Sequence, residues 1–269
     1  MVRYINVPFN SAGFSTGVAR MPASIGFNGV DIPVSVEPRR GAHGFLAESG
    51  FVRMVADVEA AVRDAFHHGD VPLVVGGDCP IMLGALAAIE DPGLVFIDGH
   101  EDAWQPTPDV RGEASDSELG MAIGHVRGPV PPSVRREKVL ALGPRDAAEI
   151  VGMGQERIDT LVTMRDDAWL QDAHVDDLVS LAGPATASEW WLHVDLDVLS
   201  TSALGAVDYP QPGGITWSRL DSVTRTLLGL PGCRGASVGV YNPDLDRGLA
   251  APRIADFITG LGRSLDSVE

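Results

Sequence analysis

The chain has 269 residues and is strongly acidic, with 37 Asp and Glu against 20 Lys and Arg and a formal net charge of −17. Nucleic-acid binders and proteins that bind anionic membranes usually carry a basic face, so this balance argues against both kinds of partner. Hydrophobic residues make up 45% of the chain and charged residues 21%, which is typical of globular proteins. In its simplest interpretation the acidity is a well-solvated surface.

Cysteine content and the first residues bear on the compartment. Two cysteines, Cys79 and Cys233, are too few for a disulfide framework and are typical of a reducing environment. Residues 1–10 lack the charged start and apolar run of a signal peptide. The sequence contains no run of about 18 uninterrupted apolar residues, so no transmembrane helix is predicted. We therefore expect a cytoplasmic protein with a single domain over residues 1–269.

Short apolar runs alternate with amphipathic stretches along the chain. The runs predict buried strands at residues 2–7, 30–34, 71–75, 94–97, 139–142, 161–164, 190–196 and 236–240. Helices are predicted at residues 51–68, 81–89, 220–228 and 254–261. This alternation predicts an α/β fold, a parallel sheet with helices on both faces. Residues 99–134 form a long stretch rich in Gly, Pro, Asp and Ser, and such a loop after a strand is usually functional.

Three carboxylate-bearing segments follow predicted strands. They are Gly76-Gly77-Asp78-Cys79, Asp98-Gly99-His100-Glu101-Asp102 and His193-Val194-Asp195-Leu196-Asp197. Ligands of a parallel sheet bind at the carboxyl ends of its strands, so the three segments can converge on one crevice. Alternate residues of an extended chain face the same side, so Asp195 and Asp197 project together. Asp98, His100 and Asp102 share the same two-residue step.

This combination of residue types favours a metal site. Two carboxylates held side by side repel each other unless a cation lies between them. Carboxylate oxygens with one imidazole suit a divalent ion such as manganese, and two such ions can ionise a water for attack on carbon or phosphorus. Taken singly, Asp195 and Asp197 can instead cap a helix or a turn, and His100 can be a buried core histidine. The three segments together favour the metal site.

In this order the segments resemble the Gly-Gly-Asp-His, Asp-Ala-His-x-Asp and x-x-Asp-x-Asp motifs of the ureohydrolases, the superfamily of arginase, agmatinase and formiminoglutamase. Weaker matches lie at residues 7–9 with 17–22, at 142–146 and at 241–243, so the resemblance spans nearly the whole chain. It implies a three-layer α/β/α fold around a mainly parallel eight-stranded sheet. It also implies a homo-oligomer, a trimer or a hexamer.

The resemblance further implies a two-manganese centre. The positions that match the family's metal ligands are Cys79, Asp98, His100, Asp102, Asp195 and Asp197. Asp98 and Asp195 match the bridging carboxylates, while His100 and Asp197 complete one metal site and the other two positions complete the second. In the family's mechanism a metal-bridging hydroxide attacks the amidine carbon, and a nitrogen leaves as an amine or as part of urea.

Position 79 departs from the family, which has a histidine ligand there. A thiolate is soft and a poor match to manganese, so this site is expected to be weak, empty at low metal or selective for another ion. We expect two Mn²⁺ per chain if it is filled and one if it is not. Cys79 can alternatively be a small buried residue that opens a helix, whose N-terminus is expected to lower the pKa of the thiol.

Two further departures concern the substrate and the proton shuttle. Val240 stands where the family has a glutamate that holds the guanidinium, two residues before Asn242-Pro243. Residues 116–121 lack the family's proton-shuttling histidine, so Glu118 is a candidate acid/base or substrate anchor, unless it is a surface residue. Trp104 is a candidate floor of the substrate pocket, to which Val240 and Asn242 also belong. The candidate catalytic residues are Asp78, Asp102 and Glu118.

The chain is thus predicted to be a manganese-dependent hydrolase that cleaves a C–N bond of a small linear amidine or guanidino compound. One alternative is a single-metal amide or deacylation hydrolase that uses Asp98, His100, Asp195 and Asp197 while the Cys79 site is vacant. The other is a non-catalytic binding protein that keeps the scaffold and a structural ion. Metal stoichiometry and activity on a panel of amidines separate the three hypotheses.

Overall fold

The computed structural model describes residues 1–107 and 112–266. In this part of the chain, the strands are Val2–Val7 (β1), Val30–Asp31 (β2), Val71–Gly76 (β3), Gly93–Ile97 (β4), Val139–Gly143 (β5), Thr163–Asp166 (β6), Trp190–Asp195 (β7) and Cys233–Gly239 (β8). The α-helices are Met21–Ile25 (α1), Glu48–His67 (α2), Ile81–Ala87 (α3), Glu118–Ala122 (α4), Ala147–Gly152 (α5), Asp167–Asp172 (α6), Val175–Ala182 (α7), Trp217–Leu228 (α8), Pro243–Asp246 (α9) and Ala251–Asp266 (α10).

The strands form one eight-stranded sheet in the order β2-β1-β3-β8-β7-β4-β5-β6. Each neighbouring pair is parallel, which confirms the predicted parallel sheet. Strands that lie far apart in sequence pair at its centre, where β8 is inserted between β3 and β7. The carboxyl ends of β3, β8, β7 and β4 are therefore neighbours at one edge of the sheet.

Two apolar cores separate the sheet from a helical layer on each face, which confirms the predicted α/β/α architecture. In β4, Val95 and Ile97 pack with residues of α7, α8 and α10, whereas Leu94 and Phe96 pack with residues of α2 and α3. This alternation follows from the two-residue period of a strand. Each fully buried Leu, Ile or Phe contributes about 1.5–3 kcal/mol to the free energy of unfolding.

Some predicted element bounds are wrong. Strand β2 ends at Asp31 instead of residue 34, and Pro33 just beyond it has no N–H for a ladder. Strand β6 begins at Thr163, because the N–H groups of Leu161 and Val162 donate to the carbonyl of Ile158 in a turn. The predicted loop at residues 99–134 contains α4, and its residues 108–111 lie outside the described part. No helix in the described residues is long and apolar enough to cross a membrane.

Candidate metal centre and active site

Four neighbouring strands at the centre of the sheet end at one edge, and a candidate site residue lies at the end of each. Cys79 follows β3, Val240 follows β8, Asp195 closes β7 and Asp98 follows β4. The loop after β3 is held to β8, because the carbonyl of Gly77 accepts a hydrogen bond from the N–H of Val240 at 2.7 Å. A Cβ atom at Gly77 would collide with a carbonyl oxygen of the β1 loop, so this approach requires glycine.

Asp98 and Asp195, the expected bridging carboxylates, each use one oxygen to cap the turn that follows. Oδ1 of Asp98 accepts from the N–H of His100 at 2.8 Å, and Oδ1 of Asp195 accepts from the N–H of Asp197 at 2.6 Å. Their Oδ2 atoms face Cys79, whose Sγ lies 2.8 Å from Asp195 and 4.0 Å from Asp98. The sequence offers turn capping and a metal cluster as alternative roles for such carboxylates. In the structure the same side chains cap turns and also belong to the cluster.

His100 and Asp197 lie against each other beside this pair. The Nδ1 atom of His100 is 2.9 Å from Oδ2 of Asp197 and 3.7 Å from Oδ1 of Asp98. Asp197 also accepts from the N–H of Gly99 at 3.0 Å, and its carbonyl accepts from the guanidinium of Arg145 at 2.6 Å. The donor atoms of Asp98, His100 and Asp197 all lie within 4.8 Å of one another.

Asp102 reaches the cluster through a turn and not through the strand spacing that the sequence suggests. Strand β4 ends before Asp98, and Asp102 has a left-handed backbone with φ 42°. Glu101 points away from the cluster and pairs with Arg157 at 2.6 Å. Asp102 meets Glu118 at the start of α4, and together with Asp98 these carboxyls lie within 4.8 Å of one another.

A third group of donor atoms combines sulfur, nitrogen and oxygen. Sγ of Cys79, a ring nitrogen of His193 and a carboxylate oxygen of Asp98 lie within 4.8 Å of one another. His193 is fully buried in β7, and its Nδ1 is hydrogen-bonded to Oγ of Ser237 at 2.7 Å. Its Nε2 has no hydrogen-bond partner among the described residues.

Sequence reasoning left His193 out of the site and did not consider Glu118 as a ligand. The period of a strand was the available signal for His193, which lies two residues before Asp195 and shares its face. Glu118 offered no comparable signal, because its position depends on how the loop after β4 folds back. That fold is held by the N–H of Gly120, which donates to the carbonyl of Asp102 at 2.9 Å.

Burial and neighbouring charge shift the pKa values of the cluster. Burial first, with nearby carboxylates, raises the pKa of Asp98, Asp102, Glu118 and Asp195. For Asp98 the pKa reaches about 7. Burial acts the same way on Asp197, but His100 and Arg145 outweigh it, so that the pKa of this carboxyl is lowered. The cluster therefore has a strong tendency to take up protons or cations.

The thiol of Cys79 has a raised pKa. Burial is the main cause, and the carboxylates of Asp195 and Asp98 add to it. The expectation that a helix N-terminus lowers this pKa is therefore wrong. Helix α3 does begin nearby, at Ile81, but burial next to two negative groups outweighs the helix dipole.

A cavity of about 360 Å³ opens above the cluster. Its acidic lining residues are Asp78, Asp102, Asp116, Asp146, Glu149, Asp195, Asp197 and Asp208. His100, Trp104 and Val240 line it as well, whereas Cys79 and Asp98 lie buried beneath. Among the described residues that line the cavity there is no Lys or Arg. The cavity is therefore strongly anionic.

Asp78 lies in the wall of the cavity, next to the cluster. It accepts a hydrogen bond from the N–H of Ser11 at 2.5 Å. Burial raises its pKa to about 7, with Glu113 and Asp208 adding to the effect and the Ser11 hydrogen bond opposing it. Asp78 can therefore gain or lose a proton near neutral pH.

Two predicted substrate-binding residues do not line the cavity. Asn242 caps α9 by accepting from the N–H of Asp244 at 3.0 Å, and its side-chain amide donates to Asp208, which does line the cavity. Glu118 is fully buried beside Asp102. The structure thus brings Asp78, Asp102, Trp104 and Val240 to the cavity wall and leaves Asn242 and Glu118 behind it.

The donors present fit a divalent-metal centre. Both carboxylate oxygens of Glu118 are buried, and no N–H or hydroxyl group of another described residue donates to them. Nε2 of His193 likewise has no partner. Buried polar atoms without partners are rare in folded proteins, and oxygen, imidazole and thiol donors around Asp98 are a recognised ligand set for divalent ions.

Comparisons with known proteins agree with the fold and identify the family. A family model described as Arginase family matches residues 30–259, and the chain belongs to this family. An arginase of Brevibacillus brevis is 27% identical over an alignment of 280 residues that covers 93% of each chain. The predicted membership of the ureohydrolase superfamily is thereby confirmed.

Solved structures share the whole fold at low sequence identity. The arginase of Entamoeba histolytica, in complex with L-ornithine, superposes with a TM-score of 0.80 at 17% identity, over 99% of this chain and 98% of that one. The agmatine ureohydrolase of Thermoplasma volcanium superposes with a TM-score of 0.75 at 16% identity, over 98% of this chain and 89% of that one. The arginase-like fold is therefore confirmed.

Proposed function

We propose that the protein is a metal-dependent hydrolase that cleaves a C–N bond of a linear amidine or guanidino compound. The observation that carries the proposal is the set Asp98, His100 and Asp197, whose donor atoms lie within 4.8 Å of one another at the base of the cavity. Membership of the arginase family supports the reaction class.

The candidate ligands fall into two groups around the shared carboxylates of Asp98 and Asp195. His100 and Asp197 would complete one position, which suits manganese because it offers carboxylate oxygens and one imidazole. Asp102 and Cys79 would complete the other. Divalent ions held by these residues would supply Lewis acidity, which can ionise water near neutral pH.

The remaining groups would move protons and orient the substrate. Asp78 lines the cavity with a pKa of about 7, so it can accept a proton from the attacking water and return it to the leaving nitrogen. The water oxygen adds to the amidine carbon, the C–N bond breaks, and the nitrogen leaves as an amine or ammonia. Glu118, which faces Asp102 from behind, would hold that carboxyl in place and share its proton.

The lining of the cavity favours a substrate with a positively charged tail. Beyond the candidate ligands, it carries the carboxyls of Asp78, Asp116, Asp146, Glu149 and Asp208. A substrate carboxylate would find no Lys or Arg partner among the described lining residues. Val240 also cannot form a charged pair with a guanidinium. Arginine is therefore a poorer candidate than an amidine or guanidine that ends in an amine.

A substrate panel with matched charges tests this function. Manganese-loaded protein is assayed for release of urea, ammonia and amine from arginine, its decarboxylated amine agmatine, 4-guanidinobutyrate and formimino compounds. We expect kcat/KM to be highest for agmatine, whose tail ends in a cationic amine, and lowest for 4-guanidinobutyrate, whose tail ends in a carboxylate. Asp197→Asn is the control, because it removes one candidate ligand and leaves the cavity shape. Absence of hydrolysis across the panel, in protein shown to bind metal, would refute the proposal.

Family membership also suggests an assembly. We propose a trimer or a hexamer in the cytoplasm, on that ground alone. Light scattering coupled to size exclusion gives the molar mass directly, and a monomer at micromolar concentration would contradict this part of the proposal.

A further inference from the structure

His193, a buried histidine that the proposed hydrolytic centre does not use, lies next to Cys79. Cys79 is the candidate ligand of that centre that suits manganese least. His193 has no exposed surface and lies in the middle of the sheet, in β7. Its Nε2 has no hydrogen-bond partner among the described residues. A buried ring nitrogen without a partner is unfavourable unless something binds it.

The neighbours of His193 are metal ligands by type. A ring nitrogen of His193, Sγ of Cys79 and a carboxylate oxygen of Asp98 lie within 4.8 Å of one another. Asp195 is the fourth group, because its Oδ2 lies 2.8 Å from Sγ of Cys79. All four side chains are buried.

The ring of His193 is held as ligating histidines usually are. Its Nδ1 is hydrogen-bonded to Oγ of Ser237 at 2.7 Å, and this hydroxyl also accepts from Nε1 of Trp191 at 2.9 Å. The ring stacks on Phe96 with centroids 5.3 Å apart. A hydrogen bond at one ring nitrogen fixes the orientation and leaves the other nitrogen for a metal. The free nitrogen here is Nε2.

We propose that Cys79, His193, Asp98 and Asp195 form a zinc-selective site. A thiolate, an imidazole and carboxylates are the donors that Zn²⁺ takes in proteins, and sulfur is a poor ligand for Mn²⁺. The thiol of Cys79 gives up its proton when the ion binds. The imidazole that position 79 lacks is thus supplied by His193 of β7, the next strand but one in the sheet.

This site makes the two metal positions chemically unequal. The group around His100 and Asp197 offers oxygen and one nitrogen, whereas the group around Cys79 and His193 offers sulfur and nitrogen as well. A mixed pair, manganese in the first position and zinc in the second, follows from the donors. The zinc site rests on the proposed function only in sharing Asp98, Asp195 and Cys79 with the hydrolytic centre.

The ligand atoms can be identified directly in the full chain. Metal-free protein is loaded with one equivalent of Zn²⁺ in the presence of excess Mn²⁺, and X-ray absorption at the zinc edge is recorded. We expect one sulfur at about 2.3 Å and an imidazole nitrogen at about 2.0–2.1 Å. A shell of oxygen and nitrogen without sulfur, or no retained zinc, would overturn the proposal. This measurement does not depend on hydrolysis. If the zinc site is found but the substrate panel shows no turnover, the proposed function is wrong and the zinc site stands.

Substitutions separate the two new ligands. Cys79→Ser and His193→Gln should each lower zinc affinity on the order of 100-fold, and His193→Gln should keep the sulfur shell. Cys233→Ser and His125→Gln are the matched controls and should bind zinc like the wild type. If His193→Gln does not fold, Ser237→Ala keeps the imidazole, removes its orienting hydrogen bond together with the one from Trp191, and should weaken zinc binding about tenfold. Unchanged zinc affinity in both histidine-site variants would exclude His193 as a ligand.

Discussion

The thiol of Cys79 lies 2.8 Å from a carboxylate oxygen of Asp195, so sulfur occupies a position next to a carboxylate that is expected to bridge metal ions. Cys79 is buried, with 1% of its surface exposed, and its sulfur also faces Asp98 at 4.0 Å. This pair is where the chain departs most clearly from the ligand set that its motifs imply, and in the zinc site that we propose it would determine which ion the second position holds.

Replacing the thiol by an imidazole should restore manganese binding at this position. We expect Cys79→His to raise the manganese content of loaded protein from about one ion per chain towards two, because nitrogen suits Mn²⁺ better than sulfur does. The neighbouring Gly239 has no side chain to oppose the larger ring. Manganese is counted by elemental analysis after gel filtration, with Cys79→Ser as the control. Unchanged occupancy would mean that position 79 does not contact the metal.

The general position of the site could be predicted from the sequence. The carboxyl ends of parallel strands meet at one edge, so residues at the ends of buried strands, such as Asp98 and Asp195, had to be neighbours if the strands were adjacent. What the sequence could not supply is the strand order. Pairing of β8 with β3 joins segments more than 150 residues apart, and local periodicity carries no information about it.

The finer geometry of the site depends on turns rather than on strand period. Asp98, His100 and Asp102 converge, as their two-residue spacing predicted. The cause is different, because a capped turn and the left-handed backbone of Asp102 fold the chain back. Glu118 reaches the cluster only through the packing of a long loop. His193 was predictable in its facing direction, but whether it meets Cys79 depends on contacts between strands.

Neutralising one acid of the cluster should stabilise the metal-free protein and abolish its function. We expect Asp195→Asn to raise the Tm at pH 8 by about 3 °C without metal, because burial and like charges disfavour this carboxylate. Asp197→Asn should lower the Tm instead, because His100 and Arg145 stabilise the charge of Asp197. Both variants should lose hydrolysis. Equal Tm changes in the two variants would contradict this division of roles.

The metal-free protein should lose stability as the pH rises towards neutrality. Asp78 has a pKa of about 7 in the folded protein and about 3.9 in an unfolded chain. The folded state therefore binds the extra proton, and the stability that this contributes below pH 4 is lost as the pH rises through 7. We expect the Tm to be at least about 5 °C lower at pH 8 than at pH 5.

Asp78→Asn isolates this contribution, because the amide keeps the hydrogen bond from the N–H of Ser11 and does not titrate in this range. Thermal unfolding in chelator between pH 5 and 8 should show a smaller fall of Tm in the variant. If wild type and variant fall in parallel, Asp78 does not carry the proton that the pKa shift requires.

Glu149 should contribute to substrate binding through its charge alone. It is exposed, lines the cavity and accepts a hydrogen bond from Gln211 at 2.6 Å. We expect Glu149→Gln to raise KM for a cationic substrate about two- to fivefold at low salt and to leave kcat unchanged. The effect should shrink in 1 M salt. An equal rise of KM for an uncharged amidine would show a steric effect instead.

We propose that Val240 selects which reacting group the cavity accepts. It lines the cavity with φ 64°, a backbone conformation that is unusual for a β-branched residue and that its N–H bond to Gly77 maintains. Val240→Glu places a carboxylate at the position where the family holds a guanidinium. We expect kcat/KM for guanidino substrates to rise relative to that for simple amidines, about tenfold for one charge-assisted hydrogen bond. Val240→Gln is the control, because glutamine has nearly the same shape as glutamate, is also unbranched at Cβ and carries no charge. If both variants change the preference equally, side-chain volume and not charge at this position selects the substrate.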